Sequence, residues 1–165
     1  MTALPAVIAR ACANMPEVSL EPSAELTVQG APGGALFVLI AGSVKVVRDD
    51  SELSRIDEPG AIFGEVPLLL GTPVAASVIA TSPSRFYVIE DGATFQRDNP
   101  DFTLYLCKML ALRVHLLSGY LADIKTQFAD QDGHLGMLHE VLCSLCQHPN
   151  SDVTLGSDRL PDPPG

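Results

Sequence analysis

Apolar and polar positions follow two rhythms along this 165-residue chain, and the change comes near Asn99. Before it, short apolar runs alternate with turn residues. Leu26 and Val28, then Leu36-Phe37-Val38-Leu39-Ile40, then Val44, Val46 and Val47 read as successive strands. Gly30 and Pro32-Gly33-Gly34 turn the chain between the first two, and Ala41-Gly42 between the next two. Asp49-Asp50-Ser51-Glu52 reads as a solvated hairpin tip, Leu53 and Ile56 resume a strand, and Glu58-Pro59-Gly60 turns again. Val78 to Ala80 and Phe86 to Ile89 flank a Thr-Ser-Pro-Ser turn. Short strands at this regular spacing predict a sandwich or roll over residues 25–98. Residues 1–24 read as a helical lead-in, kept brief by Pro5, Pro16 and Pro22.

From Asn99 the period becomes helical. Pro100 and Asp101 suit a helix start, with Asn99 or Asp98 as cap. Leu106, Leu110, Leu117, Leu121, Ile124 and Phe128 recur at steps of three, four or seven, and Cys107, Ala111, Val114 and Leu121 form a second stripe. The spacing predicts one long helix over residues 99–130. A helix apolar on two faces must be covered on two sides. One side can pack on the roll. The other most simply meets its own copy in a two-fold homodimer, or else is buried by the chain's own C-terminal segment. Asp132-Gly133 ends the helix, residues 131–148 carry a second, shorter one, and the polar, Pro-rich tail 149–165 is expected to be disordered.

Composition narrows the function classes. A hydrophobic share of 47% with 18% charged residues suits a globular chain. The net charge of −10 disfavours nucleic acid as a direct partner, because phosphate backbones are repelled. Acids outnumber bases seven to two from Leu121 onward, so the C-terminal region is an acidic addition. The N-terminus lacks a basic opening and a continuous apolar run, so no signal peptide is expected. The most apolar stretch, Leu104 to Ala122, contains Lys108, Arg113 and His115, each costly in hydrocarbon. The expectation is a cytoplasmic protein without a membrane partner.

The segment Gly60-Ala61-Ile62-Phe63-Gly64-Glu65, followed by Val66 to Ala80, resembles the phosphate-binding cassette of the cyclic-nucleotide-binding domain family. That family includes the catabolite-activator/FNR regulators and the regulatory subunits of cyclic-nucleotide-dependent kinases. Upstream, Leu26, Gly30, Leu36 to Leu39, Gly42, Val44 and Val46 match its strand–glycine–strand pattern. The resemblance runs from about residue 20 to about 125. It implies an α+β fold: an antiparallel β-roll or jelly-roll (double-stranded β-helix) with short N-terminal helices, a cassette helix and a long C-terminal helix. It also implies a non-catalytic sensor module rather than an enzyme, with cAMP or cGMP as the possible ligand.

Residue by residue, the resemblance places Gly64 where backbone must approach the ribose, and Glu65 where a carboxylate accepts from its hydroxyl. Val66 follows on the cassette helix, Ala76 matches an alanine that clears space beside the phosphate, and Ala75 precedes it. Gly64 and Glu65 equally suit a tight turn with a carboxylate satisfied by backbone N–H groups. Ser118, preceded by Leu117, falls where such regulators carry a hydroxyl facing the base, though a helical Ser is more often a surface residue.

Two departures stand out. The phosphate-pairing arginine is Val74 here, and the helix position that usually donates its N–H to the phosphate is Pro67, which has none. A charge-assisted hydrogen bond contributes ~1.5–3 kcal/mol, so losing the arginine alone weakens binding roughly ten- to a hundredfold. The expected function is therefore a regulatory module with weakened or lost cyclic-nucleotide binding that signals through contacts with an unknown protein partner. The alternative is a functional cAMP or cGMP receptor whose phosphate is held by another base, for example Arg85 or Arg113. The winged helix-turn-helix of the catabolite-activator/FNR regulators finds no room in the residues after Gln127, so promoter binding is not carried over.

A third class is a metal or redox sensor. His139, Cys143 and Cys146 lie at i, i+4 and i+7, with His148 close behind, and could share one helix face. Met137, Leu138, Val141, Leu142 and Leu145 surround them, and Cys commonly serves as a small core hydrophobe. The spacing matches no standard zinc module, so no metal is expected. No catalytic triad, Walker loop or glycosidase-like carboxylate pair is present.

Overall fold

The structure, a computed structural model, describes residues 3–127. It comprises α1 (Ala6–Ala11), β1 (Glu17–Leu20), β2 (Glu25–Thr27), β3 (Leu36–Ala41), β4 (Val44–Arg48), β5 (Ser51–Ile56) and β6 (Ile62–Phe63). After these come α2 (Glu65–Leu70), β7 (Ser77–Ala80), β8 (Ser84–Ile89), α3 (Gly92–Asp98) and α4 (Pro100–Gln127). The chain divides into two compact units between Cys107 and Lys108.

The first unit is an antiparallel β-roll of two four-stranded sheets, ordered β1-β8-β3-β6 and β2-β7-β4-β5. Register explains which side chains meet. Leu39 lies opposite Phe86 and Phe37 opposite Phe63, so these rings and the Leu share one face of the first sheet. Val44 lies opposite Ile56, and Val46 opposite Val78, on the second sheet. Leu39, Val44, Phe63, Val78 and Phe86 form one buried cluster between the sheets, with Val18, Leu20, Leu26 and Ala61 packed around it. Phe63 and Phe86 meet edge to face, with centroids 6.2 Å apart. Burial of each such side chain contributes about 1.5–3 kcal/mol.

β3 is apolar on both faces. Leu36 and Val38 alternate with Phe37 and Leu39 and are also fully buried. Ile8 and Cys12 of the N-terminal segment, Phe95 of α3, and Phe102 and Leu106 at the start of α4 are buried too. Strict alternation is therefore absent from the sequence here, as expected of a strand covered on both sides.

Three local features differ from the expectations. Glu17–Leu20 is a strand, not part of a helical lead-in. Its exposed/half-buried alternation suits the roll's edge, and Val18 pairs opposite Phe86. A four-residue strand between Pro16 and Pro22 is too short for that alternation to stand out. α3 was not anticipated inside the 25–98 segment. It starts because the Asp91 carboxylate accepts from the Thr94 backbone N–H at 3.0 Å, a side-chain N-cap. The hairpin tip is shorter than 49–52: only Asp49 and Asp50 turn, both at positive φ (50° and 62°), and Ser51 already belongs to β5.

α4 begins at Pro100, as expected. The Asn99 carbonyl accepts from the Thr103 N–H at 3.0 Å, which places Asn99 at the cap position. Beyond Cys107 its apolar side chains are mostly outward: Leu112, Val114, Leu116, Leu117 and Tyr120 are all exposed, while Leu110, Leu121 and Ile124 are half-buried. Residues 100–126 have a mean hydropathy of 1.2 in their most apolar window, so this helix is long and apolar enough to cross a bilayer by length and composition. This differs from the expectation of no such span, which rests on the cost of Lys108, Arg113 and His115 in hydrocarbon. The expected helix over 131–148 and tail over 149–165 lie outside the described residues.

Candidate functional site

The expected cassette forms as a turn followed by a one-and-a-half-turn helix. Gly64 takes φ 86° and ψ 0°, a left-handed conformation that favours glycine, and it caps α2. It is also pressed against β3, because a β-carbon there would meet the carbonyl oxygen of Ala35. This close backbone approach brings the β6–α2 turn against the start of β3. Glu65, the first residue of α2, is buried at 6% exposure. Val66 beside it is exposed, and Gly71 closes the helix with a second left-handed turn, its N–H donating to the Pro67 carbonyl.

After α2 the chain returns antiparallel to the β2–β3 loop. The Val74 N–H donates to the Ala31 carbonyl at 2.9 Å, and the Gly30 N–H donates to the Val74 carbonyl at 2.8 Å. Val74 is thus held against this loop with both backbone groups occupied. Ala76 is half-buried, and its carbonyl accepts from the Thr27 hydroxyl at 3.5 Å. Ala75 is exposed.

Between these segments lies a cleft of about 260 Å³. Leu26, Thr27 and Val28 of β2 and its end line it, together with Phe37 of β3. Ala31, Pro32, Gly33 and Ala35 come from the following loop, and Gly64, Pro67 and Val74 from the cassette. None of these side chains is ionisable, and Thr27 alone carries a polar group. Pro67 stands at the third position of α2, so the helix start lacks one of its outward N–H donors. The rim is tight: a β-carbon at Gly33 would lie 2.7 Å from the Pro67 Cβ.

Of the residues singled out in the sequence, Gly64 and Val74 line this cleft together. Glu65 and Val66 sit on the adjoining helix, and Ala75 and Ala76 follow Val74 toward β7. Ser118 is half-buried on α4 and belongs to the second compact unit. His139, Cys143 and Cys146 lie outside the described residues, and among the described residues no cluster of His, Cys, Asp or Glu could hold a metal ion. Arg85 is excluded as a substitute phosphate partner. It alternates with the buried Ser84 and Phe86 on β8, so it points away from the inner face that Phe37 shares, and it faces Glu17 at 3.5 Å. Sequence reasoning missed Thr27, Phe37 and the Ala31–Ala35 loop as site residues. Pro32-Gly33-Gly34 was read only as a turn, and nothing local in the sequence says that it folds back over Pro67.

Comparison with known proteins bears on this arrangement. The family described as "cyclic nucleotide-binding domain" matches residues 17–96. The cAMP-dependent protein kinase regulatory subunit of Yarrowia lipolytica is 27% identical over 84 residues. That match covers 51% of this chain and 22% of the relative, so the chain spans about a fifth of that protein's length. Among solved structures, the sensor domain of the transcriptional regulator DNR from Pseudomonas aeruginosa is 27% identical with a TM-score of 0.52, covering 67% of this chain and 78% of that one. The catabolite activator protein of Thermus thermophilus shares the fold, with a TM-score of 0.59 at 23% identity, covering 76% of this chain and 60% of that one.

Proposed function

We propose that this chain, whose residues 17–96 match the cyclic nucleotide-binding domain family, is a non-catalytic regulatory module whose response to cyclic nucleotides is weakened or lost. It signals by protein–protein contact in the cytoplasm, using α4 as the seam of a homodimer or as a lever.

The observation that carries the first part is the composition of the cleft. A cyclic nucleotide brings a phosphodiester anion, and an anion leaving water requires a cation or several hydrogen-bond donors in exchange. At this cleft Val74 replaces the guanidinium, Pro67 removes a donor from α2, and the Val74 and Gly30 N–H groups are already engaged with backbone carbonyls. The sugar side is better preserved: Gly64 keeps its left-handed turn and Glu65 remains beside it. The losses therefore fall on the phosphate.

The dimer reading rests on α4. Leu112, Val114, Leu116, Leu117 and Tyr120 leave apolar surface exposed along successive turns, and apolar patches of this kind mark contact surfaces. The net charge of −10 favours a protein over a nucleic acid as the partner.

Isothermal titration of the full chain with cAMP and with cGMP tests the central claim. The expected result is no saturable heat at micromolar nucleotide. A micromolar or tighter dissociation constant for either would overturn the reading in favour of a functional receptor.

A further inference from the structure

A cleft that has lost its means of holding a diester has not closed. Its volume is about 260 Å³, and the Val74–Ala31 and Gly30–Val74 backbone bonds fix the segment after α2 to the β2–β3 loop along one side of it. Collapse of the loop onto α2 is already blocked on one side, since Gly33 and Pro67 are in contact. What the cleft offers is the Phe37 ring, the aliphatic side chains of Leu26, Val28 and Val74, and one hydroxyl from Thr27. The Thr27 hydroxyl spends its proton on a long 3.5 Å contact with the Ala76 carbonyl and keeps lone pairs to accept a bond.

We propose that this cleft is a binding site for a small uncharged, predominantly apolar molecule, seated against Phe37 and Val74 and accepted at most once by Thr27. This rests on the preceding reading that a cyclic nucleotide is not the ligand of the site. Ligand sites are characteristically concave and apolar with a few placed polar groups, and this cleft has that make-up at a size just below that of drug-sized pockets. An apolar cavity of roughly 150 Å³ suffices for benzene, so the space here admits a bicyclic aromatic or a short branched chain. An anion gains nothing from such a lining, whereas an apolar molecule exchanges water for aliphatic and aromatic contact on several sides.

The test is a fluorescence titration of the full chain with 1-naphthylamine, a neutral bicyclic probe whose emission shifts to the blue on leaving water. One saturable site per chain is expected. Ala31→Phe, which fills the cleft, and Val74→Arg, which charges it, should each weaken probe binding at least tenfold. Because either variant could disturb the loop, the wild-type chain is also followed by NMR with the probe. Shifts should concentrate at Val28, Phe37 and Val74. Absence of saturable binding, or shifts confined to α4, overturns the proposal. Addition of cAMP separates the two readings. If cAMP displaces the probe competitively, the loss of nucleotide binding proposed above falls as well. If cAMP is silent and the probe does not bind, only the apolar-ligand proposal falls.

Discussion

Gly64 and Ala35 are in backbone contact, and there is no room between them for a β-carbon. Gly64 also sits at φ 86°, where other residues are strained. Gly64→Ala should therefore both strain the turn and push the cassette off β3. The strain alone costs about 1–3 kcal/mol, before the contact with the carbonyl is counted. Urea denaturation of the variant measures the loss. An unchanged midpoint would show that the turn is not held as described.

Val74→Arg places a cation at the cassette position where the resemblance to cyclic-nucleotide binders implies an arginine. A charge-assisted hydrogen bond of ~1.5–3 kcal/mol predicts cAMP binding roughly ten- to a hundredfold tighter than in the wild-type chain. Val74→Leu serves as control. Calorimetry that finds Val74→Arg and Val74→Leu equally inert would mean that more than the arginine is missing.

Phe86 is fully buried, lies opposite both Val18 and Leu39, and meets Phe63 edge to face. It ties β1, β3 and β6 into one core. Phe86→Ala should lower stability by about 3–5 kcal/mol, the usual cost of emptying a large core position. Thermal and chemical unfolding should agree on that loss. A loss below 1 kcal/mol would contradict the packing described.

The Asp91 carboxylate holds the Thr94 N–H, and this bond keeps its pKa below the ordinary aspartate value, with the nearby Arg97 adding to the effect. The carboxylate is thus more readily ionised in the folded state than in the unfolded one. Its contribution is fully present above the unfolded aspartate range and is lost as pH falls through the lowered folded value. Asp91→Asn keeps an N-cap acceptor but cannot titrate. The difference in stability between the wild-type chain and Asp91→Asn should therefore shrink between about pH 5 and the lowered value. A difference that stays constant over that window would remove Asp91 from the acid response.

Burial pushes the Cys12 thiol up to about 11, while Cys107 is exposed on α4. Reaction requires the thiolate, so at pH 8 iodoacetamide should label Cys107 and spare Cys12 until the chain unfolds. Peptide mass mapping distinguishes the two sites. Rapid native labelling of Cys12 would place α1 away from the roll.

For the proposed dimer, sedimentation equilibrium should give the mass of two chains, and Val114→Asp with Leu117→Asp should return it to one. Wild-type protein that sediments as a single chain at all concentrations would refute the α4 seam.

Much of the first unit was legible because its signals are local. The alternating runs, the turn residues at Gly42 and Pro59-Gly60, and the period change at Asn99 each act within a few residues, and β3, β4, β7, β8 and the start of α4 fall where those signals lie. The Gly64-Glu65 turn was readable for the same reason, since a left-handed cap selects glycine by itself. β1 and α3 were not readable. The first is four residues whose strand character comes from pairing with β8, and the second hangs on a single side-chain cap at Asp91. The cleft belongs wholly to tertiary structure. The resemblance implies an arginine where the sequence has Val74, but that Val74 lines one cleft with Phe37, Thr27 and Pro67, distant in the chain, depends on two sheets closing face to face. Local chemistry specified which elements form and that position 74 carries an aliphatic side chain. Only the packing of those elements decided what surrounds Val74, and hence that the space there is apolar.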